Sequence, residues 1–131
     1  MKKIIKLMNI LLVCLLWSCS SMKQNLKEIK IEETFSQKEE EYYVLFYLEG
    51  CPSCKDTLKF FEISNFKEDI YCVNMIYARN YLTSVFKENL GIFKYIDIKI
   101  NQVPTMFYIL HHKVEKVLIG YLTIRSFSWT S

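Results

Sequence analysis

The chain is poor in several residue types. Its 131 residues include one alanine (Ala78), three glycines and two prolines, and no segment repeats or forms a low-complexity block. Fifteen Ile and fifteen Lys accompany the single Ala, a bias that reads as an AT-rich genome before anything functional. No acidic residue precedes Glu28, and Lys2, Lys3 and Lys6 account for the whole formal net charge of +3. The remainder is electrically balanced, which argues against nucleic-acid binding. No apolar run exceeds eight residues, whereas a helix that crosses a bilayer needs about 18 to 20. The length suits one compact domain and is too short for two.

What is present begins with a three-part N-terminus. Residues 1–9 are basic, residues 10–17 (ILLVCLLW) are unbroken apolar chain, and small polar residues follow from Ser18 to Ser21. This is the layout of a secretory signal, which directs export rather than spanning. The junction Leu16-Trp17-Ser18-Cys19 resembles the lipobox of bacterial lipoproteins, where a Leu, a small residue and a Cys mark signal removal and attachment of diacylglycerol. Leu16, Ser18 and Cys19 match it, while Trp17 stands where a small residue is usual. The alternatives are cleavage after Ser20 and an uncleaved anchor. The resemblance implies a signal over residues 1–18, lipidation at Cys19, a flexible tether over 19–28 and a folded domain over 29–131. The domain is then expected on the extracytoplasmic face of a bacterial membrane, where disulfides persist. Cys14 would be lost with the signal.

The body alternates strand and helix signals. Tyr42–Leu48 (YYVLFYL) is aromatic and β-branched without charge and stops at Glu49-Gly50, as a central strand covered on both faces does. A helix is predicted from Pro52 to about Phe66, with proline in its first turn and an apolar stripe through Leu58, Phe61 and Asn65, flanked by Phe60, Ile63 and Phe66. Ile70–Tyr77 reads as a second strand and Asn80–Asn89 as a second helix stopped by Gly91. Thr105–Leu110 and Val114–Ile119 form a hairpin around His111-His112-Lys113. Ahead of these, Glu28–Ile31 reads as an edge strand and Glu33–Glu40 as a short helix. Ile92–Ile100 alternates like a strand yet has no obvious place for one. The order is that of a small α/β sandwich.

Cys51-Pro52-Ser53-Cys54 lies at the junction of the central strand and the first helix, where a CxxC suits a redox pair or half of a metal site. Cys51 falls at the helix N-cap, where free backbone N–H groups and the helix dipole favour a thiolate. Cys54 lies one turn in, within reach of a disulfide. Lys55 adds positive charge and Glu49 opposes it. A single CxxC supplies two ligands against the four of a structural zinc, so no metal is expected; His111 and His112 read as solvated turn residues. Cys72 reads as a small buried hydrophobe.

The segment Tyr43–Lys55 (YVLFYLEGCPSCK) and the later Val103-Pro104-Thr105 resemble the thioredoxin-like superfamily, which carries a CxxC after its central strand and a cis-proline loop facing it. The two prolines of the chain are the proline of CPxC and that of the VPT loop, and Gly120 after the last strand fits the same layout. The resemblance covers about residues 28–127. It implies a three-layer α/β/α sandwich with a mixed sheet of four to five strands. It also implies catalytic Cys51 and Cys54, and contacts to a partner chain from Pro52, Ser53, Val103, Pro104 and Thr105. Leu45 stands where thioredoxins bury a proton-transferring aspartate, residues 90–100 look inserted, and Tyr121–Ser131 allows about three helical turns where a longer closing helix is usual. The CPxC form is that of glutaredoxins and DsbA-type oxidases, which implies a less reducing pair.

These features together lead to an extracytoplasmic thiol–disulfide oxidoreductase that needs no cofactor. It would act on cysteine-containing exported proteins, with a membrane redox partner as a further candidate. The competing expectation is a thioredoxin-like surface lipoprotein that binds a protein partner without catalysis.

Overall fold

The computed structural model describes residues 26–64, 66, 68–127 and 129. The signal, Cys14, the lipobox with Cys19, the first part of the tether and Asn65 lie outside the described residues. Five strands form one mixed sheet: β1 (Leu26–Glu28), β2 (Glu41–Tyr47), β3 (Ile70–Asn74), β4 (Thr105–Leu110) and β5 (Lys113–Ile119), in the order β1-β3-β2-β4-β5. β3 runs parallel to β1 and β2, while β4 is antiparallel to both β2 and β5. Two α-helices follow strand ends: α1 (Pro52–Ile63) after β2, and α2 (Tyr121–Ser126) after β5.

The central position of β2 explains its uncharged core sequence, because the period of two sends alternate residues to opposite faces and both faces are covered. Leu45 joins Ile70, Cys72, Met106, Phe61 and Ile124 beneath the helices. Tyr42, Val44 and Phe46 join Tyr71, Val73, Phe107 and Ile109 on the opposite face. α1 buries Cys54, Thr57 and Phe61 against the first of these clusters. It ends at Ile63 rather than near Phe66, and Ile63 is exposed. The short α2 is supplemented by Trp129, whose ring lies 4.8 Å from Tyr43 and 5.2 Å from Phe61, centroid to centroid. Its Nε1–H donates to the Ile124 carbonyl at 2.9 Å.

The α/β architecture and the mixed sheet match the sequence expectation, but the layer opposite the helices is built from 3-10 turns and irregular chain. The helix expected over Asn80–Asn89 does not form. Ile100 takes the backbone of that segment instead: its N–H donates to the Tyr81 carbonyl and its carbonyl accepts from Thr83 N–H, both at 2.9 Å. Tyr81 O would otherwise serve the helical bond to residue 85, and Val85 N–H donates to Thr83 Oγ1 at 3.3 Å. Only a 3-10 turn remains, at Arg79–Tyr81. Residues 92–100 contribute a single parallel bridge, Leu82 to Ile100, and a 3-10 turn at Tyr95–Asp97, so they are not a strand.

The helix expected over Glu33–Glu40 is also missing, and a 3-10 turn at Ile31–Glu33 stands before it. The Thr34 carbonyl, which a helix would offer to residue 38, accepts from Tyr42 Oη–H at 2.7 Å, and Thr34 Oγ1–H donates back to Ile31 O at 2.6 Å. Ile31 is drawn into the core by that turn, so the edge strand lies at Leu26–Glu28 and not at Glu28–Ile31. β3 stops at Asn74, whose side chain caps a 3-10 turn at Met75–Tyr77 by accepting from Ile76 N–H at 3.1 Å. The strand expected to reach Tyr77 is therefore shorter, and Ile76 does not share a face with Cys72. The hairpin stands with a two-residue turn, His111 and His112, both at positive φ (51° and 61°), the geometry of a tight primed turn.

Candidate active site

Cys51 is the N-cap of α1 because Gly50, at φ 84°, turns the chain out of the central strand and Pro52 occupies the first helical position. The Cys51 Sγ accepts the Cys54 N–H at 3.2 Å, so one of the free donors at the helix start faces the sulfur. Its own S–H lies 3.9 Å from the Val103 carbonyl. Both cysteines are free thiols in the structure. Cys51 is partly exposed, whereas Cys54 is 1% exposed. Burial, then the hydrogen bond that its S–H donates to the neighbouring Cys51 sulfur, pushes the Cys54 thiol up to about 12. The pair is thus asymmetric: one sulfur is open to a partner, and the other is held protonated behind it.

The second wall of the site comes from the chain ahead of β4. Val103–Pro104 is a cis peptide. Thr105 is buried, its Oγ1–H donating to Gln102 O at 2.5 Å, and the Pro104 carbonyl accepts the Gly120 N–H at 2.9 Å, which joins this loop to the end of β5. Gly120 has φ 91° and is the N-cap of α2. Ser53, Gln102, Val103 and Pro104 face Gly120 and Tyr121 across a shallow groove of about 330 Å³. Pro52 and Ser53 are exposed on the α1 side, and Ser53 O accepts from Thr57 Oγ1–H at 2.8 Å. All the candidate site residues other than Cys19 therefore come together around Cys51, with Thr105 beneath the surface.

Solved structures similar to this one include a thioredoxin from Malassezia sympodialis, with a TM-score of 0.50 and 15% identity over 72% of this chain and 79% of that one. A thioredoxin from Schistosoma mansoni also has a TM-score of 0.50, with 18% identity over 75% of this chain and 85% of that one. The chain has the thioredoxin fold. No protein-family model and no curated protein sequence matches it.

One departure from the pattern that the sequence resemblance implies lies under α1. Leu45, in the position of the buried aspartate, is fully enclosed in the apolar cluster under α1 and pairs in register with Cys72. After burial, the Cys51 side chain is the neighbour that raises the Cys54 thiol. Cys72 lies deep in the same cluster, its S–H 3.9 Å from Ile70 O, and burial pushes it up to about 12. Among the described residues no group of three or more His, Cys, Asp or Glu is placed to hold a metal ion. His112 Nδ1 lies 2.9 Å from Phe35 O at the exposed hairpin turn. No helix among the described residues is long and apolar enough to cross a membrane.

Sequence reasoning missed Asn74. It is buried at the end of β3, in register with Tyr47, and its Nδ2–H donates to Glu49 Oε1 at 3.2 Å, directly beside the CxxC turn. The available signal was one amide at the close of an otherwise apolar strand.

Proposed function

We propose that this chain is a thiol–disulfide oxidoreductase of the cell envelope, tethered through lipid at Cys19, that exchanges disulfides with cysteine-containing exported proteins. The observation that carries this reading is the asymmetry of the CxxC: Cys51 is partly exposed at a helix N-cap with Cys54 N–H on its sulfur, and Cys54 is buried behind it. In the reducing direction, the Cys51 thiolate attacks one sulfur of a partner disulfide, forming a Cys51–partner bond as the other partner sulfur leaves as thiolate. Cys54 then loses its proton to solvent and attacks Cys51 Sγ. The partner's second thiolate is released, and two electrons have passed from the pair to the partner. Oxidation of a partner dithiol is the same sequence reversed. The Val103 backbone, facing Cys51, offers a partner strand its hydrogen-bonding edge.

The decisive experiment traps the intermediate. Cys54→Ser in the full-length chain, expressed in bacterial envelopes, is expected to accumulate mixed disulfides with exported proteins that dithiothreitol releases; absence of any adduct overturns the reading. Cys19→Ser is expected to move the chain from the membrane fraction to the soluble one. Equilibration against glutathione and dithiothreitol, with a Cys72→Ser control, sets the direction of electron flow. A potential of about −120 to −180 mV indicates a disulfide donor or isomerase, and one near −270 mV or below a reductase.

Leu45 favours a second reading, because an apolar side chain in the proton-transfer position slows the second step. A non-catalytic binding module retains its partner when Cys51→Ser and Cys54→Ser are combined, whereas an exchanger loses turnover.

A further inference from the structure

Beside Cys51, and sharing no lining residue with the groove at Val103 and Pro104, the turn between β2 and α1 borders a second and larger groove of about 540 Å³. Its walls are Tyr47 and Leu48 from the end of β2, and Pro52, Lys55 and Leu58 from α1, with Glu49 and Gly50 between them. Nothing lies within 4 Å of the point a Cβ on Gly50 would occupy, and φ 84° there disfavours any side chain, so the mouth stays open. The lining is mainly apolar and carries one carboxylate, Glu49, and one ammonium, Lys55, while a second carboxylate, Glu28, lies behind it. Glu49 is held by buried Asn74, which is itself fixed by the Ile76 N–H at 3.1 Å. Behind the wall, Tyr47 Oη–H donates to Glu28 Oε1 at 3.3 Å. After burial, the carboxylates of Glu28 and Glu49 both help raise the Tyr47 hydroxyl. Glu49 in the lining and Glu28 behind it thus both act on the Tyr47 wall, against one ammonium in the lining, that of Lys55.

We propose that this groove takes an apolar side chain next to the partner's reacting cysteine, with an adjoining lysine or arginine meeting Glu49. The inference rests on the exchange reading above, since only a partner joined through Cys51 is delivered to the groove. An aromatic or large aliphatic side chain covers the Tyr47, Leu48 and Leu58 surfaces, and a cation relieves the unbalanced carboxylates. The selected partner segment is therefore basic and apolar around its cysteine.

The test uses the full-length reduced chain and short peptides whose single cysteine carries 2-nitro-5-thiobenzoate as a mixed disulfide. Cys51 thiolate attacks the peptide sulfur, the Cys51–peptide bond forms, and the coloured thiolate leaves. The cysteine is flanked by a Phe–Lys, Phe–Glu or Gly–Gly pair, in both sequence orders, and a neutral hydroxyethyl mixed disulfide reports exchange without a peptide. In one order, Phe–Lys is expected to react about tenfold faster than Gly–Gly, the scale of burying one large apolar side chain. It is expected to outpace Phe–Glu by about two- to fivefold, the scale of one exposed charge pair. The Phe–Lys to Phe–Glu ratio, in which any change of Cys51 reactivity cancels, falls to about one in Glu49→Gln and inverts in Glu49→Lys. Equal rates in both orders, or a ratio that survives Glu49→Lys, overturn the groove assignment while exchange stands. No release even from the hydroxyethyl compound overturns exchange itself and the groove's role with it.

Discussion

Cys54 sets the chemistry at the scale of single residues. With its thiol pushed up to about 12, its thiolate fraction rises about tenfold for each pH unit below that value, and the thiolate is the attacking species. We therefore expect decay of a Cys51 mixed disulfide to accelerate about tenfold per unit from pH 6 to pH 9. Rapid acid quench and mass spectrometry measure this, and a plateau near neutral pH would show that another group takes the Cys54 proton. Leu45 is the residue in the path of such a group, and its identity was legible in the sequence as a departure from the family pattern. Asn89 was not legible in that way. It sits where a helix was expected to end, yet its Nδ2–H donates to Lys99 O at 2.8 Å and its Oδ1 accepts from Lys99 N–H at 3.0 Å. Asn89→Ala leaves both Lys99 backbone groups without these partners, an expected cost of about 1 to 3 kcal/mol in urea denaturation. Cleavage by protease within residues 90–98 should rise with it.

At the scale of elements, those whose periodicity matches their burial were legible and the rest were not. β2, β4, β5 and most of α1 follow from apolar runs bounded by glycine, proline or polar turns. The segment over 80–89 carries a helix-compatible pattern, but Ile100 captures the Tyr81 carbonyl and the Thr83 N–H. Val85, Phe86, Leu90, Phe93 and Ile96 are left exposed, Phe86 at 58%. A long-range backbone pairing of this kind outcompetes a short helix, whose own nucleation is unfavourable. The hairpin turn holds a smaller conflict: His111 and His112 occupy positive φ, a left-handed conformation that costs an L side chain about 1 kcal/mol. His111→Gly is expected to stabilise the reduced protein by about 1 kcal/mol in chemical denaturation, whereas His111→Val should destabilise it by at least as much. His112 is the less suitable target because its ring is bonded to Phe35 O.

Across the whole molecule, burial shifts the titration of several groups in one direction. Cys54 and Cys72 move from an ordinary 9.0 to about 12, and Tyr42 moves from 10.0 to about 12, in each case mainly because burial opposes the charged form. A group whose value is raised in the fold contributes stability that is whole below its unfolded value and lost as pH rises through its folded one. The reduced protein should therefore keep a constant urea midpoint from pH 7 to about 9 and lose stability steadily between about 9 and 12. Cys72→Ala should flatten that fall, because its own thiol no longer titrates. An unchanged slope would mean that Cys72 ionises alike in the folded and unfolded chains.

The sequence by itself determined the central strand, the helix that starts at the CPxC and the closing hairpin, whereas the proline loop facing the site came from the resemblance carried by Val103-Pro104-Thr105. The strand, helix and hairpin rest on local rules: an uncharged run, a proline in the first turn and turn residues at each sharp exit. The tertiary structure alone decided the depth of Cys54 against Cys51, because burial arises from the sheet beneath α1. It also decided the bracket that Asn74 makes for Glu49 and the loss of the helix over 80–89. Each of these depends on a partner at least ten residues away, where a local pattern carries no information about distance.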